Sequence, residues 1–510
     1  MMNGNPSGEG AEAPASRLAA PSPEAVGVLL IRVCIYAFMC LAISRTWVDP
    51  DLWGHVRFGG DIVAHGLTPT DPYSFASDIP WTNHEWLAEV LFYLAYAGAG
   101  GAGLVAFKAL LLVPGALLIA RTIRTTGAPA LIRDFLLFAA VAGMWPRTYV
   151  LRPQVFSVVL FVALLWAMRS AETGRPHRLA IVPIVFAAWV NLHGGWIVGC
   201  GVFMLWIAVT LSRRDVRTSP RLLVITGALT LAATLANPYG WELWKFLAAT
   251  VRPERPNIDD WRPLFQSGMG FIVPWSICAV LAAVAFVKRR PQIPWSHTFI
   301  VAGLGLASIR VSRLDVFFSI SVIMLLAPQI AAAAGAPSVE RARLWTKGAI
   351  AAAVLVAATW SLVFFVVRQQ FTCVLLNVPW MPERDAAAFI TTNHLSGRLL
   401  TWFNWGQYAI WHFNPDLKVS LDGRRETVYS DAYVRDHLRL YFDPESETAF
   451  LERLNADYAW LPAELPLSVE LDRRGWSRIY SSRASVVFAR SARAVAPTPA
   501  VQGPACFPGP

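Results

Sequence analysis

The sequence predicts an α-helical polytopic membrane protein of about eleven spans, with an α/β domain at its C-terminal end. Three observations carry that prediction. Of 510 residues, 55% are hydrophobic and only 15% charged, whereas a soluble domain carries about 25% charged residues. Apolar runs near the length that crosses a bilayer, about 20 residues, recur between residues 25 and 367. Lysine and arginine collect in every second connection between those runs, the bias that sets membrane topology. The 22 Trp and 28 Phe agree, since aromatic side chains gather at membrane interfaces.

Taken in order, residues 1–24 are rich in Gly, Ala, Ser and Pro and read as disordered. The first apolar run, 25–45, is too long for a signal-peptide core and no small-residue cleavage site follows it, so it reads as a retained span. The further candidates are 103–122, 130–146, 154–170, 178–193, 195–212, 221–237, 270–287, 296–310, 314–335 and 347–367. The runs 130–146, 178–193 and 296–310 are short or interrupted. Residues 86–97 are shorter still and broken by Glu89. They read as an interfacial helix, with a twelfth span as the other reading.

Five connections are basic. They hold Arg121, Arg124 and Arg133; Arg169, Arg175 and Arg178; Arg213, Arg214, Arg217 and Arg221; Lys288, Arg289 and Arg290; and Arg341, Arg343 and Lys347. Assigned to the cytoplasm, they leave the N-terminus inside and everything after Val367 outside. The formal charge of +10 is then mostly a topology signal and argues against a nucleic-acid partner.

The transmembrane domain covers 25–369, and its first outer loop, about 46–102, is long and acidic. A second outer loop, about 238–269, carries Trp and Leu at the spacing of a surface-lying helix. Residues 370–490 read as a soluble α/β domain. Within it RLLTWF, LKVSLDGRR and ADYAWLP read as strands, WGQYAIWHF as a helix start and WSRIYSSRASVVFAR as a closing hairpin. This domain is expected to be accessory. Its Asp422-Gly423-Arg424 turn reads as structural, with Gly supplying left-handed backbone. The tail from 491 is Pro- and Ala-rich and reads as unfolded. None of the six cysteines forms a CxxC, and neither a disulfide framework nor a zinc site is legible.

Polar groups near membrane depth are expensive, so they invite a functional reading. Four clusters fall on the outer face: Asp49 and Asp51 after the first span, Arg147 and Arg152, Asn191 and His193, and Arg310 and Arg313. The positive-inside bias disfavours arginine there, and its presence suggests a bound anion. Other readings stay open. Arginines at helix ends snorkel to headgroups, His193 beside Gly194-Gly195 can serve the turn, and Asp49 and Asp51 can cap the next helix or hold a divalent cation.

The first loop is more specific. Two apolar helical stretches, 52–64 and 86–97, flank a Pro/Ser/Thr/Asp turn region, and His84 and Glu85 open the second. His55 lies one turn after Asp51, on the same helix face. The segments DPDLWGHVRFGGDIVAHGLTPTDPYSF, NHEWLAEVLFY, VLRPQVFS, WVNLHGGW and LANPYG resemble the GT-C superfamily of membrane glycosyltransferases. The closer similarity is to bacterial relatives of protein O-mannosyltransferases and aminoarabinose transferases, over about 25–370.

The resemblance implies a polyprenyl-phosphate sugar as donor and an unidentified glycan, lipid or protein as acceptor. It implies a place in a bacterial cell membrane, a catalytic carboxylate at Asp51 or Asp49, and a second acid at Glu85. His55, His84, Arg147, Arg152, His193, Arg310 and Arg313 are the candidate substrate-binding residues. A divalent cation is possible and no organic cofactor is expected. The alternative is a non-catalytic membrane scaffold that binds a lipid-linked glycan. Transport is disfavoured, because no charged pair lies at mid-span apart from Arg32 and no repeated pair of broken helices is legible. The topology is tested by cysteine labelling: a cysteine placed in the 213–221 loop is expected to react only after permeabilisation, and one near Asp443 without it.

Overall fold

A computed structural model describes residues 23–213, 218–250, 261–335, 372–497 and 506–509. Twelve helices are named here in the membrane part: α1 (Pro23–Ser44), α2 (Leu52–His65), α3 (Trp86–Arg124), α4 (Ala130–Met144), α5 (Gln154–Glu172), α6 (Ile181–Trp189), α7 (Trp196–Arg213), α8 (Pro220–Ala233), α9 (Trp241–Thr250), α10 (Met269–Arg289), α11 (Trp295–Arg310) and α12 (Asp315–Ala334). Among the described residues, six helical segments are long and apolar enough to cross a bilayer: those of α1, α3, α5, α7, α10 and α12. Four further expected spans coincide with α4, α6, α8 and α11, which run 15, 9, 14 and 16 residues. These fall short of the length a span needs. The expected span 347–367 lies outside the described residues. Leu110, Leu117, Ile184, Val280 and Leu306 are each more than 60% exposed, as expected of side chains that face lipid rather than water.

The bundle has two polar ends. At one, Arg213 and Arg290 stack on Trp295, and Glu172 accepts hydrogen bonds from Trp206 and bonds His297. These residues belong to the basic connections or adjoin them. At the other end the expected outer loops meet. Trp47 N–H donates to Tyr149 O and Val48 N–H to Leu375 O. Leu87 N–H donates to Asn191 O, and Ser312 N–H to Arg262 O. Lys108, fully buried, donates from Nζ to Arg45 O and Thr148 O. It thereby ties the approach to Asp49 to the approach to Arg152. Arg32 is paired with Asp134 (2.5 Å), so its charge does not stand alone in the bundle.

Residues 86–97 form the first part of α3. Ala99 and Gly100 leave helical geometry, Gly100 with φ +57° and ψ −141°, a conformation that costs a side chain dearly. The chain is redirected there, and the arm before the break packs on α2. At Gly59 a Cβ would lie 2.0 Å from Glu89 O, which shows how closely the two arms approach.

In the soluble part the helix Arg384–Thr392 (α13) leads to a five-stranded sheet. Its strands are β1 (Gly397–Thr401), β2 (Leu417–Val419), β3 (Tyr458–Pro462), β4 (Ser477–Ser481) and β5 (Ser485–Ala489). The order is β2-β1-β3-β5-β4. β1 runs parallel to both neighbours, and β5 pairs antiparallel with β3 and β4. The helices α14 (Gly406–Phe413), α15 (Asp431–Phe442), α16 (Thr448–Leu454) and α17 (Pro466–Arg473) flank it. All the strands read from sequence are present. The first loop joins this domain: Val419 N–H donates to Tyr73 O and Phe75 N–H to Val419 O, extending the sheet at β2. Leu52, Trp53, Val56 and Phe58 of α2 share a core with Tyr408, Leu421 and Tyr429.

Two sequence expectations fail here. Cys373 and Cys506 form a disulfide across 133 positions, a pairing that no local spacing announces. The tail is also not unfolded throughout. Phe507 is buried and donates its N–H to Val374 O, and Trp53 Nε1 donates to Pro508 O. Cys506→Ser is expected to make Cys373 reactive to maleimide after unfolding without reductant. It should lower stability by about 2–4 kcal/mol, read as a lower unfolding temperature in detergent.

Candidate functional site

The expected outer loops and the soluble domain enclose one cavity of about 1290 Å³. Asp49 and Asp51 lie in its wall. Asp49 is buried, and its Oδ1 accepts the Asp51 N–H at 3.0 Å. That local loop turns the Asp51 side chain away from the first turn of α2, where it makes no capping hydrogen bond. Capping therefore does not account for Asp51. Arg152 stands between the two acids, with Nε 2.5 Å from Asp49 and Nη2 3.3 Å from Asp51. Among the described residues no group of three or more His, Cys, Asp or Glu is arranged to hold a metal. Burial and the neighbouring Asp49 push the Asp51 carboxyl up to about 6, against the pull of Arg152 and His55.

A second carboxylate group faces the same space. Glu85 Oε1 lies 3.7 Å from His84 Nε2 and 3.8 Å from His193 Nε2. Burial opposes its charge, but His84, His193, His55 and Arg313 together hold its pKa below the ordinary value. His193 Nδ1 accepts the Gly195 N–H at 3.0 Å and meets Ser157 Oγ at 2.6 Å. Serving the turn and facing the cavity are thus both true of this histidine. Burial pulls its pKa down to about 3, aided by Arg313, His84 and Arg152, so the ring is neutral, with Nε2 toward Glu85.

His55, one turn after Asp51, turns to Glu89. Its Nδ1 bonds Glu89 Oε1 at 3.2 Å, while Glu89 Oε2 accepts from Asn83 Nδ2 at 2.6 Å. Burial works against a charged His55, yet Glu89, Glu85 and Asp51 raise its pKa above the usual value. Glu89 lines the cavity and is a residue the sequence reading passed over. Its signal was a carboxylate interrupting an apolar run.

The four arginines separate into two pairs. Arg152 and Arg313 line the cavity. Arg147 and Arg310 are not among its lining residues. Arg147 is buried and bidentate on Asp315 (2.9 and 3.2 Å), and its guanidinium lies over Phe271. A buried arginine needs a carboxylate more than it can serve a ligand. Asp315, the first residue of α12, gave no sequence sign of that pairing.

The soluble domain reaches the site directly. A Cβ on Gly423 would lie 1.8 Å from Asp51 Oδ1, and one on Gly54 would lie 1.9 Å from Gln407 Oε1. Gly423 is therefore required for close approach to Asp51. The left-handed residue of this turn is Arg425, with φ +42°, not Gly423. Arg424 sits between Asp422 and Asp71, with Nη1 2.7 Å and Nη2 2.9 Å from the Asp71 oxygens and Nε 2.9 Å from Asp422. Phe58, Tyr73 and Trp81 surround it at 5.0–5.3 Å. Asp422 also accepts the Tyr429 hydroxyl at 2.8 Å. The structural reading of Asp422 agrees with these contacts.

By sequence, the chain matches no family profile and no curated protein. By structure it is similar to the oligosaccharyltransferase AglB of Archaeoglobus fulgidus. That match has TM-score 0.55 and 12% identity, covering 91% of this chain and 74% of the other. It is also similar to ArnT from Cupriavidus metallidurans solved with undecaprenyl phosphate, with TM-score 0.51 and 15% identity, covering 92% and 99%. AglB has also been solved with an inhibitory peptide and a dolichol-phosphate, at TM-score 0.55 and 12% identity, covering 91% and 74%. The chain has a GT-C-like fold in a multi-pass membrane protein.

Arg424→Gln is expected to cost about 3–5 kcal/mol, because it leaves buried Asp422 and Asp71 without their cation. Thermal unfolding measures the loss, and adding Asp71→Asn to it should recover part of the stability.

Proposed function

We propose that the protein transfers a sugar from a polyprenyl-phosphate donor to an acceptor on the extracytoplasmic face of a bacterial cell membrane. What carries this reading is Asp51: a carboxyl raised to about 6, in a large cavity that also holds Arg152 and Arg313. A base poised near neutral pH suits removal of a hydroxyl proton in the transition state. The GT-C-like fold supports the general kind of reaction, since the similar ArnT and AglB were solved with lipid phosphates.

In the proposed reaction the acceptor hydroxyl gives its proton to Asp51. Its oxygen bonds to the anomeric carbon as the bond from that carbon to the donor phosphate oxygen breaks. The electron pair leaves with the polyprenyl phosphate, whose charge Arg152 and Arg313 balance. A single displacement inverts the anomeric centre. Asp49 holds Arg152 and the Asp51 backbone in place. Glu85 and neutral His193 line the other side of the cavity, suited to hydrogen bonds with sugar hydroxyls. The disulfide between Cys373 and Cys506 supports an oxidising, extracytoplasmic side for the soluble domain.

A scaffold that only binds a lipid-linked glycan needs the arginines and not the base. Asp51→Asn separates the two readings. With purified protein and a panel of labelled polyprenyl-phosphate sugars, it is expected to lower turnover roughly 10²–10⁴-fold while donor binding persists. Normal turnover in both Asp51→Asn and Asp49→Asn would remove the enzyme reading. Turnover of the parent should fall about tenfold per pH unit below about 6 as Asp51 takes up its proton. The folded-state pKa lies above the unfolded value, so ionised Asp51 opposes folding as pH rises through that window. Asp51→Asn is accordingly expected to unfold no earlier than the parent at neutral pH.

A further inference from the structure

We propose that the soluble domain forms the acceptor half of the cavity and that the acceptor is an acidic glycan, an inference that rests on the transfer reading above. On α15, Arg435, Arg439 and Phe442 recur at i, i+4 and i+7, which places them along one face. All three are exposed and all three line the cavity that holds Asp51. The opposite face, with Val434, His437, Leu440 and Tyr441, is buried and anchors the helix whatever the first face carries. Two arginines one turn apart repel each other, so folding does not account for them. Among the described residues Arg435 reaches only its neighbour Asp436, at 3.3 Å and largely exposed, a contact worth little. Arg439 has no side-chain partner among the described residues.

Aromatic rings complete the surface. Trp402 and Phe403 are half-buried and line the cavity. Arg425, held in left-handed backbone, lies over Phe403 at 5.6 Å. Such strain persists only where the surroundings enforce it. Among the described residues the acids on this side are Glu426, 3.8 Å from Arg425, Asp443, which lines the cavity, and Asp436 beside Arg435. Ring faces pack against the C–H faces of sugars, and guanidinium forks bind carboxylate or phosphate in pairs. A neutral acceptor would leave Arg439 without a charge partner among the described residues and Arg435 with only its weak, exposed contact to Asp436. An anionic bilayer offers phosphates too, but these arginines share their cavity with Asp51, where an acceptor hydroxyl has to arrive.

The test uses the full chain in nanodiscs of zwitterionic lipid, without donor. Equilibrium binding of a fluorescent oligogalacturonate is compared with that of a neutral cello-oligosaccharide of equal length. The parent is expected to bind the uronate at least tenfold more tightly. Arg435→Gln with Arg439→Gln should abolish that preference, while Arg483→Gln, an exposed arginine outside the cavity, keeps it. Phe442→Ser, at a position already 62% exposed, should weaken binding of both glycans and so report the apolar contact without unfolding the domain. Equal affinity for the two glycans in the parent overturns the proposal. So does unchanged uronate binding in the double variant, or a double variant that loses only its capture of anionic-lipid vesicles. Undecaprenyl phosphate binding to the same discs scores the donor site separately, and its absence counts against the transfer reading alone.

Discussion

The geometry of the site hangs on Arg424. A guanidinium taken out of water is tolerated only where carboxylates compensate it closely. Arg424 has two, one from each half of the protein: Asp422 beside it and Asp71 from the first loop. The three rings around it exclude water from the pair. Because a buried charge cannot trade partners cheaply, the 422–425 turn has one way to dock on the first loop. That docking sets Gly423 against Asp51 and closes the cavity on the side of the soluble domain.

The same economy of charge organises the cavity wall. Asp49 and Asp51 share Arg152, so the pair is less than neutralised, and the less securely held acid is Asp51. Glu85, by contrast, has its pKa held below the ordinary carboxylate value despite burial, with His84 foremost among the causes. Two carboxylate groups in one cavity thus have opposite tendencies, one toward holding a proton and one toward charge. That division arises from neighbours and burial rather than residue type. The backbone beneath is stiff for a related reason. Lys108 satisfies two carbonyls in a place water does not reach, and so couples the segments that carry Asp49 and Arg152.

Likeness of fold at 12–15% identity is physically reasonable for such a chain. In a bilayer every backbone polar group must be bonded internally, so spanning elements are helices whatever their side chains. Apolar residues of many kinds satisfy that demand. The soluble domain and first loop are held more specifically, through a shared core and strand pairing at β2.

The sequence by itself determined what depends on nearby residues. Apolar run length marked the long helices, and it marked 130–146, 178–193 and 296–310 as short, where the helices are indeed 15, 9 and 16 residues. Alternating basic connections sorted the loops into two groups, and the loops assigned outside do meet at one end. Short apolar runs bounded by turn residues located the strands, and the polar residues of the first loop offered Asp49, Asp51, His84 and Glu85 as candidates. Only the tertiary structure decided which distant groups meet. It sent Arg147 to Asp315 and Arg152 to the two aspartates, although both arginines lie in one short connection. It joined Cys373 to Cys506, turned His55 to Glu89, and brought Gln407, Gly423 and Arg425 into a site that the linear order places in another domain. The reason is that hydropathy and turn chemistry act over a few residues, while a buried charge or thiol is matched by whatever the folded chain carries to it.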